Sequence, residues 1–470
     1  MTERAPRGPI LALVLIALAL LIMMLQGCSF APEYKRPEMA LPEAYGAHQA
    51  AVPAQERWWK VFNDPVLDKL EDEALAANLD LLAAAQRIEE SRARLRIATG
   101  EQLPSVGIEG SRNRTRSSQL GSFPLPQDFV ETNDHRLVLQ FSWELDFWGK
   151  FRNATAAAKQ ELVATEAGRD AVRSTRVSDV AHAYFALLAL DSRLETVTRT
   201  RDGRAEALKI QKMRWDAGAI SELDYRQVES DLRNTEALVP IIRFSRFQQE
   251  GVLAVLLGRS PREIFDAKVE RGISVVPDIV EVPEGMPSDL LLRRPDLRQA
   301  EAELQAANYR IGVARAAYFP SISLTGYYGG ESQALGDLFK AQARTWQIAG
   351  GLVQPLFAGG QIAGGVDLAN AQTREAELAY RKAVANAFRE VRDAIAAQSE
   401  RREAYLAQRE REHSFSRTYE LARLRYRNGA IGLLDALDAE RNLLSARLDA
   451  IDAERDRRNA IVDLYTALGM

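Results

Sequence analysis

From Asn153 to Asp216 the chain runs for 64 residues without a proline, and from Ala363 to Arg427 it does so again. At 1.5 Å per residue, a helix over the first stretch is about 96 Å long. No compact globule of this chain length contains such a rod, so the helices must pack side by side, as in a coiled coil. Their faces are rich in alanine, with Ala154, Ala156, Ala157 and Ala158 as one cluster. Small side chains let helix axes approach closely.

The two long stretches belong to two copies of one unit. Arg214-Trp215-Asp216-Ala217-Gly218-Ala219-Ile220 aligns with Arg425-Tyr426-Arg427-Asn428-Gly429-Ala430-Ile431, and the match continues to Asp224 and Asp435. Near the start of each unit, Leu103-Pro104-Ser105-Val106 aligns with Phe319-Pro320-Ser321-Ile322. Two separated matches in the same order indicate an internal duplication, with repeat 1 over 66–260 and repeat 2 over 296–470. Residues 261–295 between them hold Pro261, Pro277, Pro283, Pro287 and Pro295 and read as a linker. Each repeat has one grammar: a helix (about 66–99 and 296–317), two short alternating segments, then a long helical hairpin turning at Gly-Ala-Ile.

The alternating segments fall at about 103–117 and 135–147 in repeat 1, and at about 319–330 and 344–357 in repeat 2. In Leu137–Phe147 every odd position is apolar and most even ones are polar. Ile322, Leu324 and Tyr328 alternate with Ser321, Ser323 and Thr325 in the same way, as do Trp346, Ile348 and Leu352 with Thr345, Gln347 and Gly351. Such a dyad period suits a strand with lipid on one side and water on the other, although a soluble sandwich would alternate likewise. Phe147, Trp148, Tyr318, Phe319 and Phe357 collect at the helix-proximal ends as an interfacial girdle. On the first strand Arg112, Arg114 and Arg116 follow Val106 and Ile108 on one face, so that end must lie beyond the hydrocarbon or turn away from it.

Four membrane strands cannot close a barrel, and an open edge in hydrocarbon leaves backbone groups unpaired at several kcal/mol each. Closure must come from other chains. Two copies give eight strands with a filled bore, three give twelve with room for passage, and both remain open at this point.

Composition narrows the chemistry. The formal net charge is −4, which gives no reason to expect nucleic-acid binding. One cysteine excludes an intramolecular disulfide, and four scattered histidines suggest no zinc site. His182 and His413 lie in the long helices and read as packing or solvent-facing groups. No catalytic constellation, metal site or cofactor is expected.

At the N-terminus, Arg4 and Arg7 precede an uncharged apolar run from Ile10 to Leu25, shorter than the roughly 20 residues of a spanning helix. Residues 1–27 therefore read as a cleaved signal. Leu25-Gln26-Gly27-Cys28 resembles the lipobox of bacterial lipoproteins, which makes Cys28 the acylated N-terminus and its lipid the only covalent addition expected. Ser29, in place of an aspartate, resembles outer-membrane sorting. Residues 28–65, with Pro32, Pro37, Pro42, Pro53 and Pro65, read as an extended lipid-anchored arm.

The signal with Cys28, the duplication, and Leu291-Leu292-Arg293-Arg294-Pro295-Asp296-Leu297 opening the second copy together resemble one family. They look like the lipid-anchored outer-membrane channel subunits of tripartite RND-type efflux pumps, within the TolC-like outer membrane factor family. That resemblance implies a mixed α and β fold, mainly α: a homotrimer with a twelve-stranded outer-membrane β-barrel, four strands per chain. The barrel would continue as a long periplasmic α-helical barrel with a mixed equatorial region. It further implies a non-enzymatic exit duct for small molecules such as drugs and toxic compounds. Its partners would be a periplasmic adaptor (a membrane fusion protein), an inner-membrane RND-type transporter and outer-membrane lipid, not nucleic acid. A TolC-like duct for type I protein secretion keeps the same fold; a non-porous coiled-coil envelope lipoprotein is the reading from another class.

An idle duct must be shut. After the second turn comes Leu433-Leu434-Asp435-Ala436-Leu437-Asp438. Asp435 and Asp438 are three apart and share a helix face, as do Leu434 and Asp438, four apart. Three copies would bring six carboxylates toward one axis, a ring that attracts cations and repels anions. The resemblance implies a periplasmic gate at Leu434, Asp435 and Asp438, with Tyr426 and Arg427 as latch positions between coils. The plainer reading of Asp435 is complementation of a helix N-terminus. Glu222 and Asp224 occupy the equivalent turn of the first copy and read as surface or partner contacts. The tips Gly218, Ala219, Ile220, Gly429, Ala430 and Ile431 are the candidate adaptor-docking surface; simple hairpin packing is the alternative.

Overall fold

The structure is a computed structural model that describes residues 29–40, 57–120, 126, 130–266, 268–272 and 294–470. The signal at 1–27, Cys28, residues 41–56 of the arm, and linker residues 273–293 with Leu291, Leu292 and Arg293 lie outside the described residues.

About 70% of the chain is helical. After a short 3-10 turn at Trp58–Phe62 come α1 (Pro65–Ala77), α2 (Leu79–Gly100), β1 (Ser105–Arg116), β2 (Glu131–Glu144), α3 (Lys150–Asp216) and α4 (Glu222–Leu256). Then follow α5 (Pro261–Phe265), α6 (Pro295–Ala316), β3 (Ser321–Ser332), β4 (Arg344–Val353), α7 (Gln361–Arg427) and α8 (Leu433–Ala467). The order helix, two strands, very long helix, shorter helix thus occurs twice. The paired helices have equal lengths: 22 residues in α2 and α6, 67 in α3 and α7, 35 in α4 and α8. A 67-residue helix measures about 100 Å.

The expected single helix over 66–99 is two helices, broken at Asn78. This stretch has no proline or glycine to mark the break; capping imposes it. The Asn78 backbone N–H donates to Ala74 O at 2.9 Å, closing α1, while its Oδ1 accepts from Asp80 N at 2.9 Å and Leu81 N at 3.2 Å, opening α2. Its Nδ2 donates to Leu256 O at 2.7 Å. The strands also shift against the expected ranges. β3 starts after Pro320 and β4 stops before Pro355, because proline has no N–H for the ladder. β2 starts at Glu131, paired with Arg116, and ends at Glu144.

The chain divides into two compact units. The first contains Arg87–Thr165, Gln299–Tyr380 and the arm as far as Glu38. Its centre is one antiparallel sheet of order β1-β2-β3-β4, so β1 and β4 are both edges. The described part of the arm is tied down along α6. Arg36 makes two 2.8 Å bonds to the Glu301 carboxylate, Asn308 Nδ2 donates to Pro32 O at 2.7 Å, and Phe30 stacks on Phe319 at 4.4 Å. Ser29 Oγ donates to Asn153 Oδ1 at 2.9 Å.

The second unit holds Met39–Gln86, Glu166–Arg298 and Arg381–Met470. Its core is aromatic: Trp58 stacks on Tyr465 at 5.3 Å, and Phe62 meets Phe185 edge-on at 4.7 Å. Truncating a buried ring of this kind costs about 3–5 kcal/mol. Asp64 ties the chain together there. It caps α1 through Val66 N and Leu67 N, at 2.9 and 3.2 Å, and accepts from Tyr184 Oη at 2.8 Å. Gly272 N in turn donates to Tyr184 Oη at 2.9 Å, and a Cβ at Gly272 would fall 2.2 Å from Asp64 Oδ1.

Candidate functional site

Two surfaces carry the residues singled out above, one in each unit. In the first, the ladder registers Val106 with Phe141, Ile108 with Leu139, Leu139 with Tyr328, and Tyr328 with Trp346. Phe141 pairs Gly326, which pairs Ile348; Trp143 pairs Leu324; Ile322 pairs Leu352. Antiparallel partners share a face, so these apolar side chains form one continuous surface. Much of it is open: Val106, Ile108, Leu139, Tyr328, Trp346, Ile348 and Leu352 are all more than half exposed. The opposite face carries Gln140, Ser142, Thr325, Tyr327 and Gln347. An apolar face this large is not the outer surface of a soluble domain. At its helix-proximal end, Trp148 Nε1 donates to Pro320 O at 2.7 Å, and the Trp148 ring stacks on Phe319 at 4.9 Å.

The second unit contains both tips, and they are built alike. Gly218 (φ +70°) and Gly429 (φ +71°) adopt the left-handed conformation. Ala219 N donates to Arg214 O and Ala430 N to Arg425 O, each at 2.8 Å; Gly218 N donates to Trp215 O and Gly429 N to Tyr426 O, at 2.8 and 3.0 Å. This is the Schellman termination twice. The next helix then starts differently in each copy. Ser221 and Asp224 form a reciprocal capping box, whereas Gly432 has no side chain and only Asp435 Oδ2 accepts from its N–H, at 3.2 Å. Asp435 therefore does complement a helix N-terminus, with its side chain exposed.

Leu434 is exposed beside Asp435 and Asp438, while Leu437 between them is buried. The Tyr426 hydroxyl accepts from Gln211 Nε2 at 3.0 Å and from Arg214 Nη1 at 3.3 Å, joining α7 to α3. Arg427 is exposed and has no ion-pair partner among the described residues. Gly218, Ala219, Gly429 and Ala430 are exposed, with Ile220 and Ile431 half-buried.

Behind these residues lies a charge network that local sequence does not reveal. Arg441 Nη1 contacts Asp438 Oδ1 at 2.5 Å and Arg441 Nε contacts Asp231 Oδ1 at 3.0 Å. Asp231 is buried on α4; Arg204, equally buried on α3, donates to Asp231 O at 2.8 Å, Thr235 Oγ1 at 2.6 Å and Glu440 Oε1 at 3.0 Å. The one available signal is periodic: Asp231 falls three residues after Val228 and four before Thr235, in the buried stripe of α4.

A four-stranded sheet with a lipid-type face, carried on helices of this length, defines an outer-membrane channel subunit. Comparison with known proteins agrees. The profile of the outer membrane efflux protein family matches residues 70–259 and again 286–470. The chain is 34% identical over 464 residues to the solvent efflux pump outer membrane protein SrpC of Pseudomonas putida, covering 95% of this chain and 96% of that one. It is 33% identical over 453 residues to the cation efflux system protein CusC of Escherichia coli O6:H1, with 95% and 96% covered. The crystal structure of the Campylobacter jejuni CmeC outer membrane channel superposes with a TM-score of 0.88 at 29% identity, over 94% of this chain and 95% of that one. The chain belongs to the outer membrane efflux protein family. It is an outer-membrane protein that reaches into the periplasm and serves as the exit component of an efflux system.

Proposed function

We propose that the chain works as a homotrimer: three four-stranded sheets close one twelve-stranded barrel, and the paired long helices continue it as a periplasmic duct. The observation that carries this reading is the sheet itself. Its apolar face calls for lipid, yet β1 and β4 are both unpaired edges, which hydrocarbon does not tolerate. Sister chains supply the missing partners. The repeated element order and the family's double match support an origin by internal duplication.

The duct is passive and not an enzyme, and it binds no cofactor or metal. Gating lies at the tips, where Leu434, Asp435 and Asp438 from three chains form an apolar and acidic constriction. The Tyr426 bonds to Gln211 and Arg214 support a latch between coils; Arg427, with no ion-pair partner among the described residues, is available to a neighbour. Gly218–Ile220 and Gly429–Ile431 present the docking surface for a periplasmic adaptor that links the duct to an inner-membrane RND-type transporter. The names of SrpC and CusC favour solvents or cations as cargo over secreted proteins.

Cys28 carries the lipid anchor. Ser29 and Phe30, the next residues, meet Asn153 and Phe319 beside the aromatic end of the sheet, where an acyl chain would enter the inner leaflet. The test is conductance. Purified protein in planar bilayers should form discrete channels and run in detergent as a heat-sensitive trimer; a spacer lipoprotein would do neither.

A further inference from the structure

The apolar face of the sheet gives way to arginine within two ladder rows. Ile108, Leu139, Tyr328 and Trp346 form one row; the next is Gly110, Leu137, Gly330 and Arg344. Beyond it lie Arg112 with His135, Arg114 with Asn133, and Arg116 with Glu131. Successive rows on one face are about 7 Å apart. Arg112, Arg114, Arg116 and Arg344 are all exposed, and Glu131 is the only carboxylate in these rows. Its two oxygens accept from Arg114 Nη2 and Arg116 Nη1, both at 3.0 Å. Arg112 and Arg344 have no ion-pair partner among the described residues.

Arg344 opens one edge strand, and Arg112–Arg116 close the other. In the trimer, on which this inference rests, β4 of each chain lies antiparallel to β1 of the next. The first residue of β4 then meets the last turn of β1, so each junction gathers four guanidinium groups and one carboxylate. They stand just beyond Tyr328 and Trp346, at the end of the barrel opposite the helices. Guanidinium groups in that density repel one another, and their planar forks match phosphate oxygens two at a time.

We propose that each junction binds a lipid of the outer leaflet carrying more than one phosphate. Its phosphates would lie against Arg112, Arg114 and Arg344, and its acyl chains along Tyr328, Trp346 and Ile348. Basic residues at a membrane surface recruit anionic headgroups by the same attraction.

Native mass spectrometry of the full-length trimer in detergent tests this, with bisphosphorylated lipid A as the probe and phosphatidylethanolamine as the control. Up to three lipid A molecules should stay bound per wild-type trimer, in preference to phosphatidylethanolamine and to the monophosphorylated form. An Arg112→Gln/Arg344→Gln variant should bind lipid A about thirtyfold more weakly, with its channel conductance unchanged. Equal lipid A binding by wild type and variant would overturn the proposal. If that variant does not assemble, the wild-type comparison decides: no preference for two phosphates over one overturns it. A wild-type protein that forms no trimer would remove the ring, and the junction with it; a trimer without lipid preference removes the junction alone.

Discussion

Arg441 holds Asp438 and Asp231 at once, at 2.5 and 3.0 Å, joining an exposed carboxylate at the proposed constriction to a buried one in the neighbouring helix. One cation thus fixes where Asp438 stands. Arg204 supports the arrangement from behind with bonds to three acceptors.

The two arginines should differ in what they sustain. Arg204 is 5% exposed, and replacing it with Gln strands the buried acceptors, a loss of about 3 kcal/mol. The Arg441 side chain is 42% exposed, so solvent screens its pair with the exposed Asp438, but the buried Asp231 carboxylate accepts from no other side chain among the described residues, and Arg441→Gln should cost about 2 kcal/mol. Thermal unfolding of both variants checks the two losses. An Arg441 variant as stable as the wild type would show that Asp231 does not depend on it.

If three chains form the proposed constriction, Asp435→Ala/Asp438→Ala removes six carboxylates from it. Single-channel conductance should rise and block by multivalent cations should weaken. Conductance and block like those of the wild type would exclude these residues from the gate.

Cys28→Ser deletes the proposed lipid anchor but leaves the strands of the proposed barrel intact. Membrane association should fall while trimers persist, because the strands insert on their own account. Quantitative fractionation beside unheated gels reads both quantities; disappearance of the trimer would mean the lipid is needed for assembly.

Glu71 is fully buried on α1, neither carboxylate oxygen has a hydrogen-bond partner among the described residues, and Asp68 and Asp72 are its charged neighbours. Burial, reinforced by those two carboxylates, holds its acid group well above the ordinary 4.5. The folded state therefore keeps a proton that the unfolded chain releases, and stability falls as pH rises above the unfolded value. Glu71→Gln should raise the melting temperature at pH 8 and change it little at pH 4. Equal shifts at both pH values would show that the carboxyl group does not titrate as described.

The long helices are legible because proline-free runs of more than 60 residues leave few alternatives, and the Gly218 and Gly429 turns because only glycine relieves a left-handed termination. Strand faces are legible from alternation, with proline deciding where β3 begins and β4 ends. The Asn78 break is not, since its caps come from the folded backbone and from Leu256, far along the chain. Nor is the Arg204–Asp231–Arg441 network, whose members are separated by 27 and 210 positions in sequence and meet only once the hairpins pack. The arm's path is likewise hidden: nothing local to Arg36 points to Glu301.

The most direct test of the account is the molecular mass of the detergent-extracted protein by light scattering, with the detergent contribution subtracted. The proposed barrel predicts three copies of this 52.3 kDa chain, less the signal expected at 1–27, in one particle that precipitates when detergent is withdrawn. A folded single copy, stable in plain buffer, would contradict the closed barrel and every reading that depends on it.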